Sequence, residues 1–215
     1  MNLPTKITFS RIFIVFAMFI SLFILSFFNL EPIYLFGPAG AQVNLVNLIV
    51  CIVFIIAAST DWLDGYLARK NNQVTDLGKF LDPVADKMLV NATLIFMILP
   101  STYAGTQMQL SLYIVIVFIV RDLIVDSMRF VAAKKNIVVA ANMFGKLKTV
   151  AQMVAIPIFL LNGFPFSYFD AGWITGLHIA DWLMYIALFF SVLSGVIYIY
   201  QNRKVFIEDK HDATK

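Results

Sequence analysis

Long stretches of this chain contain no Asp, Glu, Lys or Arg, and the charges between them come in short groups. Residues 12–30 form the first such stretch. Residues 32–60 form the second, but Gly37-Pro38-Ala39-Gly40 breaks its front, which predicts a helix beginning near Val43. Residues 88–120 exceed one membrane crossing, and Pro100-Ser101-Thr102 with Gly105-Thr106-Gln107 divide them into two. Residues 149–169 and 182–202 are the fifth and sixth stretches. A membrane-crossing helix needs about 20 mostly apolar residues. The pattern therefore predicts an all-α integral membrane protein with six transmembrane helices. It is read as a single membrane-embedded domain over 1–215, with 205–215 a flexible tail. The first stretch follows Lys6 and Arg11 as in a signal peptide, but it is longer than a signal core and is read as an uncleaved helix.

Composition agrees with this pattern. Of 215 residues, 60% are apolar and only 13% charged, so a single soluble core could not hide the apolar surface. That excludes a water-soluble enzyme, a disordered chain and a disulfide scaffold; Cys51 is the one cysteine. The net charge of +3, dispersed among apolar runs, argues against a nucleic-acid partner. All 16 basic residues fall before the first span, between the second and third, between the fourth and fifth, or after the sixth. The other connections hold Glu31, Asp170, Asp181 and His178 instead. Lys and Arg accumulate on the cytoplasmic side, so both termini are predicted cytoplasmic.

The charges that remain near the spans carry the chemistry. Asp61-Trp62-Leu63-Asp64-Gly65-Tyr66-Leu67-Ala68-Arg69 is followed, eight residues later, by Gly78-Lys79-Phe80-Leu81-Asp82-Pro83-Val84-Ala85-Asp86. Asp61 and Asp64 (i, i+3) share one helical face with Ala68, and Gly78, Asp82 and Asp86 share another at four-residue steps. The first pair ends helix two and the second opens helix three, so the four carboxylates are expected at one depth near the cytoplasmic surface. Such charges repel, and Arg69, Lys79 and Lys87 are too few and poorly placed to offset them. Divalent cations suit the hard carboxylate oxygens, and a pair of Mg²⁺ or Mn²⁺ ions serves in-line displacement at phosphorus. A carboxylate beside them would take the proton of an attacking hydroxyl. The small residues Gly65, Ala68 and Gly78 would let a bulky ligand approach.

The run from Asp61 to Asp86 resembles the signature of the CDP-alcohol phosphotransferases, D-x-x-D-G-x-x-A-R, eight residues, then G-x-x-x-D-x-x-x-D, with every fixed position matched. The resemblance implies a six-helix membrane enzyme, dimeric and dependent on Mg²⁺ or Mn²⁺, that moves a phosphate-bearing group from a CDP-linked donor to an alcohol and releases CMP. It implies Asp61, Asp64 and Asp82 as metal ligands, Asp86 as base and further ligand, and Gly65, Ala68, Arg69 and Gly78 at the CDP site. Within the family the chain is most similar to the branch that makes phosphatidylglycerol phosphate, on Asn2-Leu3-Pro4-Thr5 with Arg11, Arg121-Asp122 with Arg129, and Gly145-Lys146-Leu147-Lys148-Thr149 with Gln152-Met153. Leu3 stands where that branch commonly has Ile, and Asp122 where Glu is commoner. The branch implies CDP-diacylglycerol as donor, sn-glycerol 3-phosphate as acceptor, a bacterial cell membrane with the active site cytoplasmic, and Asn2, Pro4, Thr5 and Arg11 near the nucleotide.

The remaining basic residues bear on the acceptor. Gly145, Lys148 and Gln152 share a face of helix five, and Lys146 points roughly the other way. Arg121, Arg129, Lys146 and Lys148 are the candidate holders of an acceptor phosphate. Lys134, Lys135, Arg203 and Lys204 are read as anchors for anionic membrane lipids. Other acceptors of the same family, inositol phosphate or phosphatidylglycerol, stay open at this point. So does a divalent-cation transporter, which would need acids continuing across the membrane.

Overall fold

The computed structural model describes residues 3–25, 27–28, 32–38, 41–70, 76–99, 109–135, 143–169 and 178–203. Within those ranges the side chains of 3–5, 25, 61–70, 76–77 and 79–80 lie outside the description. Six α-helices occur among the described residues: α1 Leu3–Leu25, α2 Leu45–Lys70, α3 Asp76–Phe96, α4 Leu112–Lys134, α5 Met143–Leu160 and α6 Ile179–Asn202. Among the described residues three stretches are long and apolar enough to cross a membrane: Lys6–Ile24, Met143–Leu160 and Ile179–Asn202. The apolar part of α2, Leu45–Thr60, is shorter, and α3 and α4 carry charges within their length.

Two compact units divide the chain. One comprises residues 1–110 and 156–180, the other 111–155 and 181–215. In the first, α1 packs on α2 and α3, and α2 on α3. Helix α1 is inverted relative to a soluble helix. Its buried stripe is Thr8, Arg11, Val15 and Met18, at steps of three and four, whereas Phe13, Phe16, Ile20 and Phe23 face outward. A lipid surround favours that inversion, because apolar side chains lose nothing by facing hydrocarbon and polar ones must find partners inside.

The break before helix two is an antiparallel ribbon, β1 Tyr34–Phe36 with β2 Val43–Asn44. Gly37 turns it with φ of 127°, and a Cβ there would stand 2.7 Å from the Ala41 carbonyl oxygen, so only glycine fits. Asn44 then starts α2: its Oδ1 accepts the Val46 N–H at 2.6 Å, satisfying one donor of the first turn. The expected start near Val43 is therefore set by a side-chain cap.

The fifth span was expected over 149–169, but α5 ends at Leu160 and gives way to turns and a short 3₁₀ segment, Phe166–Tyr168. The stop is local. Asn162 takes φ of 51°, its N–H bonds to the Phe159 carbonyl at 3.0 Å, and the Gly163 N–H reaches back to Ile158 at 2.8 Å. This pair of bonds closes a helix C-terminus on a left-handed residue. The Asn162 amide also donates to the Gln42 carbonyl. Asn162→Val is expected to lower stability by about 2 kcal/mol, from left-handed strain plus the lost bond. Asn162→Gly should lose less, since it keeps the backbone conformation. Thermal unfolding in detergent checks the order; equal melting of the two variants would show that this backbone conformation is not what ends α5.

The second unit is built on one face of α4, whose buried residues are Ile114, Val115, Phe118, Asp122, Val125, Met128 and Ala132. Small buried residues of α6, Ala187, Ser191, Ser194 and Gly195, recur at helical steps, and small side chains let helices approach closely in a membrane.

Candidate active site

In the first unit, α1 and α3 meet through two polar rungs. Thr8 Oγ1 donates to Asp82 Oδ1 at 2.9 Å, and Arg11 Nη1 donates to Asp86 Oδ1 at 2.9 Å. The pattern follows from helix periodicity: Thr8 and Arg11 are i, i+3 on α1, and Asp82 and Asp86 are i, i+4 on α3, so each pair shares a face. The Arg11 side chain is 1% exposed and that of Asp86 44%. The cation is therefore the buried partner, and the carboxylate it steadies remains reachable from outside. Gly78, one turn before Asp82, is buried.

This geometry alters one expectation. The sequence offers Arg69, Lys79 and Lys87 as cations near the carboxylates, but Arg11 of α1 supplies one directly. The sequence places Arg11 near the nucleotide but does not pair it with Asp86, and it gives Thr8 no role. The available signal was a Thr–Arg pair at i, i+3 just ahead of the first apolar stretch. Asp61, Asp64, Gly65, Ala68 and Arg69 lie in α2, but their side chains lie outside the described residues, as do those of Pro4 and Thr5 in α1; Asn2 lies outside them entirely. Among the described residues no three Asp, Glu, His or Cys side chains form a metal-binding group. The donors that are described, Asp82 and Asp86, are hard oxygens of the kind Mg²⁺ and Mn²⁺ take, so the residues present fit such an ion.

The second unit gathers another charged group on three helices. Asp122 of α4 accepts from Lys148 Nζ of α5 at 2.9 Å on Oδ1 and 2.7 Å on Oδ2. The same Oδ1 accepts from Arg121 Nη1 at 2.8 Å. Arg121 also donates through Nε to the Ser191 carbonyl at 3.0 Å and through Nη2 to Ser194 Oγ on α6. Side-chain exposures are 15% for Arg121, 12% for Asp122 and 8% for Lys148. Two cations around one carboxylate leave a net positive centre. Charges this far from water persist only where partners satisfy them. A Cβ on Gly195 would stand 3.0 Å from Arg121 Cγ and 3.4 Å from its Nε, so the absence of a side chain there makes the seat for the arginine stem.

Of the four candidate acceptor residues, the structure thus brings Arg121 and Lys148 together. It does not bring Arg129 or Lys146 to them. Arg129 is exposed and lies 5.5 Å over the Tyr198 ring, and Lys146 is exposed, on the opposite side of α5 as its spacing predicted. Ser191, Ser194 and Gly195 were not anticipated; their signal was a small, polar Ser-x-x-Ser-Gly patch within an otherwise apolar helix.

Comparison with known proteins completes the description. The sequence profile described as CDP-alcohol phosphatidyltransferase matches residues 1–193. A CDP-diacylglycerol–glycerol-3-phosphate 3-phosphatidyltransferase of Bacillus subtilis (strain 168) is 41% identical over 203 residues, covering 94% of this chain and 95% of the relative. A protein of the same name from Mycoplasma genitalium is 37% identical over 180 residues, 79% of this chain and 72% of the relative. Another from Rickettsia bellii is 30% identical over 207 residues, 95% and 97% respectively.

Proposed function

This chain belongs to the CDP-alcohol phosphatidyltransferase family, and from that membership we propose that it transfers the phosphatidyl group of CDP-diacylglycerol to sn-glycerol 3-phosphate, forming phosphatidylglycerol phosphate and CMP. It is a membrane-embedded transferase of phospholipid synthesis. The observation that carries the mechanistic reading is the Asp82–Asp86 pair, held from α1 by Thr8 and Arg11.

The residues divide the work as follows. Asp61, Asp64, Asp82 and Asp86 would hold two Mg²⁺ or Mn²⁺ ions. When bound, these ions offset the charge of the donor diphosphate and of the departing CMP. Thr8 fixes the Asp82 carboxylate, and Arg11 fixes that of Asp86. Asp86 takes the proton from the 1-hydroxyl of the acceptor as that oxygen attacks the phosphorus bearing the diacylglycerol group. The bond from that phosphorus to the CMP phosphate breaks, and no covalent enzyme intermediate forms. Asn2, Pro4, Thr5, Arg11, Gly65, Ala68, Arg69 and Gly78 would line the nucleotide site, and Arg121 and Lys148 would hold the acceptor phosphate. Arg129 and Lys146, being exposed, would draw the acceptor in rather than clamp it.

The grouping of the 16 basic residues before the first apolar stretch, between the second and third, between the fourth and fifth and after the sixth supports six crossings with cytoplasmic termini and a cytoplasmic site; the bacterial relatives support a bacterial cell membrane, and 1–215 is read as a single domain. Resemblance to the family supports a homodimer. Substrate chemistry fits such a site, because a diacylglycerol stays in the bilayer while a charged three-carbon phosphate arrives from water.

The experiment is an acceptor panel with purified protein and CDP-diacylglycerol. CMP release is expected with sn-glycerol 3-phosphate and not with inositol phosphate or phosphatidylglycerol. A chelator should abolish release, and added Mg²⁺ or Mn²⁺ should restore it. Release with another acceptor alone would overturn the acceptor; release unchanged by chelator would overturn the metal reading. A narrower expectation concerns Gly195. Gly195→Leu should push Arg121 from Ser191 and Ser194 and raise KM for sn-glycerol 3-phosphate about 10-fold, the value of one charge-assisted hydrogen bond. Steady-state kinetics check it, and an unchanged KM would remove Arg121 from the acceptor site.

A further inference from the structure

The charged group on α4, α5 and α6 is accompanied by buried polar atoms that have no hydrogen-bond partner among the described residues. In this unit they are Gln152 Nε2, Ser191 Oγ and Tyr198 Oη. Gln152 is only 3% exposed. It stands one turn beyond Lys148 on the same face of α5, about 6 Å further along the axis. Ser191 touches the group directly, since its carbonyl accepts from Arg121 Nε. At the other end of that face, a side chain added at Gly145 would meet no atom of the described residues within 4 Å. Among the described residues the face therefore runs from an uncrowded Gly145, past a buried cation at Lys148, to a buried donor without a partner at Gln152.

A buried amide N–H without a partner is costly, and native proteins rarely keep one without a reason. The charge of Lys148 is answered by Asp122, and the uncharged Gln152 N–H, itself a donor, has no part in that pairing. An uncharged donor one turn from a cationic pair suits a ligand that carries a phosphate at one end and a hydroxyl a few bonds away.

We propose that Gln152 is a specificity-determining residue that donates its amide hydrogen to the C2 hydroxyl oxygen of the acceptor. This deepens the proposed function and rests on Arg121 and Lys148 holding the acceptor phosphate. The residue would distinguish a glycerol phosphate from phosphates of the same length that lack the middle hydroxyl. A site built to hydrogen-bond a hydroxyl rejects the analogue without it, because its own polar group is then left unpaired.

The test compares sn-glycerol 3-phosphate with 3-hydroxypropyl phosphate, the same chain without the C2 hydroxyl, by kcat/KM for CMP release from CDP-diacylglycerol. The full-length wild type is expected to prefer the glycerol phosphate by ~10²-fold or more. Gln152→Met, which keeps the volume and removes the donor, is expected to bring the ratio close to one by losing activity on the glycerol phosphate alone. If Gln152 only supports packing, or its amide holds a trapped water, Gln152→Met lowers both activities together and the ratio stays, which overturns the proposal. If Gln152→Met does not fold, the wild-type ratio decides: equal use of both acceptors overturns the proposal, and strong preference supports it. If neither compound is turned over while CDP-diacylglycerol is consumed with another acceptor, the function assigned to the chain fails rather than the role of Gln152.

Discussion

Asp82→Asn is expected to lower the rate of CMP release by at least ~10²-fold, as removal of a central electrostatic group does, while leaving the protein folded. The reason for both halves is the same atom. Asp82 Oδ1 accepts a hydrogen bond from Thr8, and an asparagine side-chain oxygen can accept it equally well. The contact between α1 and α3 is thus retained, and only the negative charge is lost. That charge is what the proposed reaction needs, since the amide is a poor ligand for Mg²⁺ or Mn²⁺ where several carboxylates must bind together. Rates should be measured beside a thermal melt in detergent. A fully active Asp82→Asn would reduce the rung on α3 to a helix-packing device.

The largest stability effect is expected at Asp122. Its carboxylate takes hydrogen bonds from both Arg121 and Lys148, whose side chains are 15% and 8% exposed. Asp122→Ala leaves two buried cations facing one another, and breaking a buried pair in this way costs about 3–5 kcal/mol. The double variant Asp122→Ala with Lys148→Met removes one of those cations and should recover a large part of the loss. The two melting points, read against the wild type, check this. If the single variant melts with the wild type, the group is not held together by its charges. If the double variant is no better than the single, the lysine is not the cause.

The parts of this molecule legible in sequence are those governed by local rules. Asn44 caps α2 close to where the broken apolar run predicted its start, and Asp82 and Asp86 fall on one face because a helix repeats every 3.6 residues. Lys146 and Lys148 part company on α5 for the same reason. The early end of α5 was also written locally, in Asn162-Gly163, but an uninterrupted apolar run masked it. What could not be read depends on partners far apart in the chain. Thr8 and Arg11 find carboxylates 74 and 75 residues away, and Arg121 finds Ser191 and Ser194 at 70 and 73. In a membrane helix, apolar positions do not mark the core, since lipid accepts them as readily as a neighbouring helix does. The inward face of α1 is marked by Thr8 and Arg11, its buried polar residues, and their partners are set by which helices pack together.

The most direct measurement is Mn²⁺ binding to the purified protein by electron paramagnetic resonance, counted per chain and repeated with Asp82→Asn. Two coupled ions per chain in the wild type, and loss of that coupled signal in the variant, is the expected result. Wild-type protein that binds no Mn²⁺, or a variant that binds the pair unchanged, would contradict the placing of these aspartates around divalent metal.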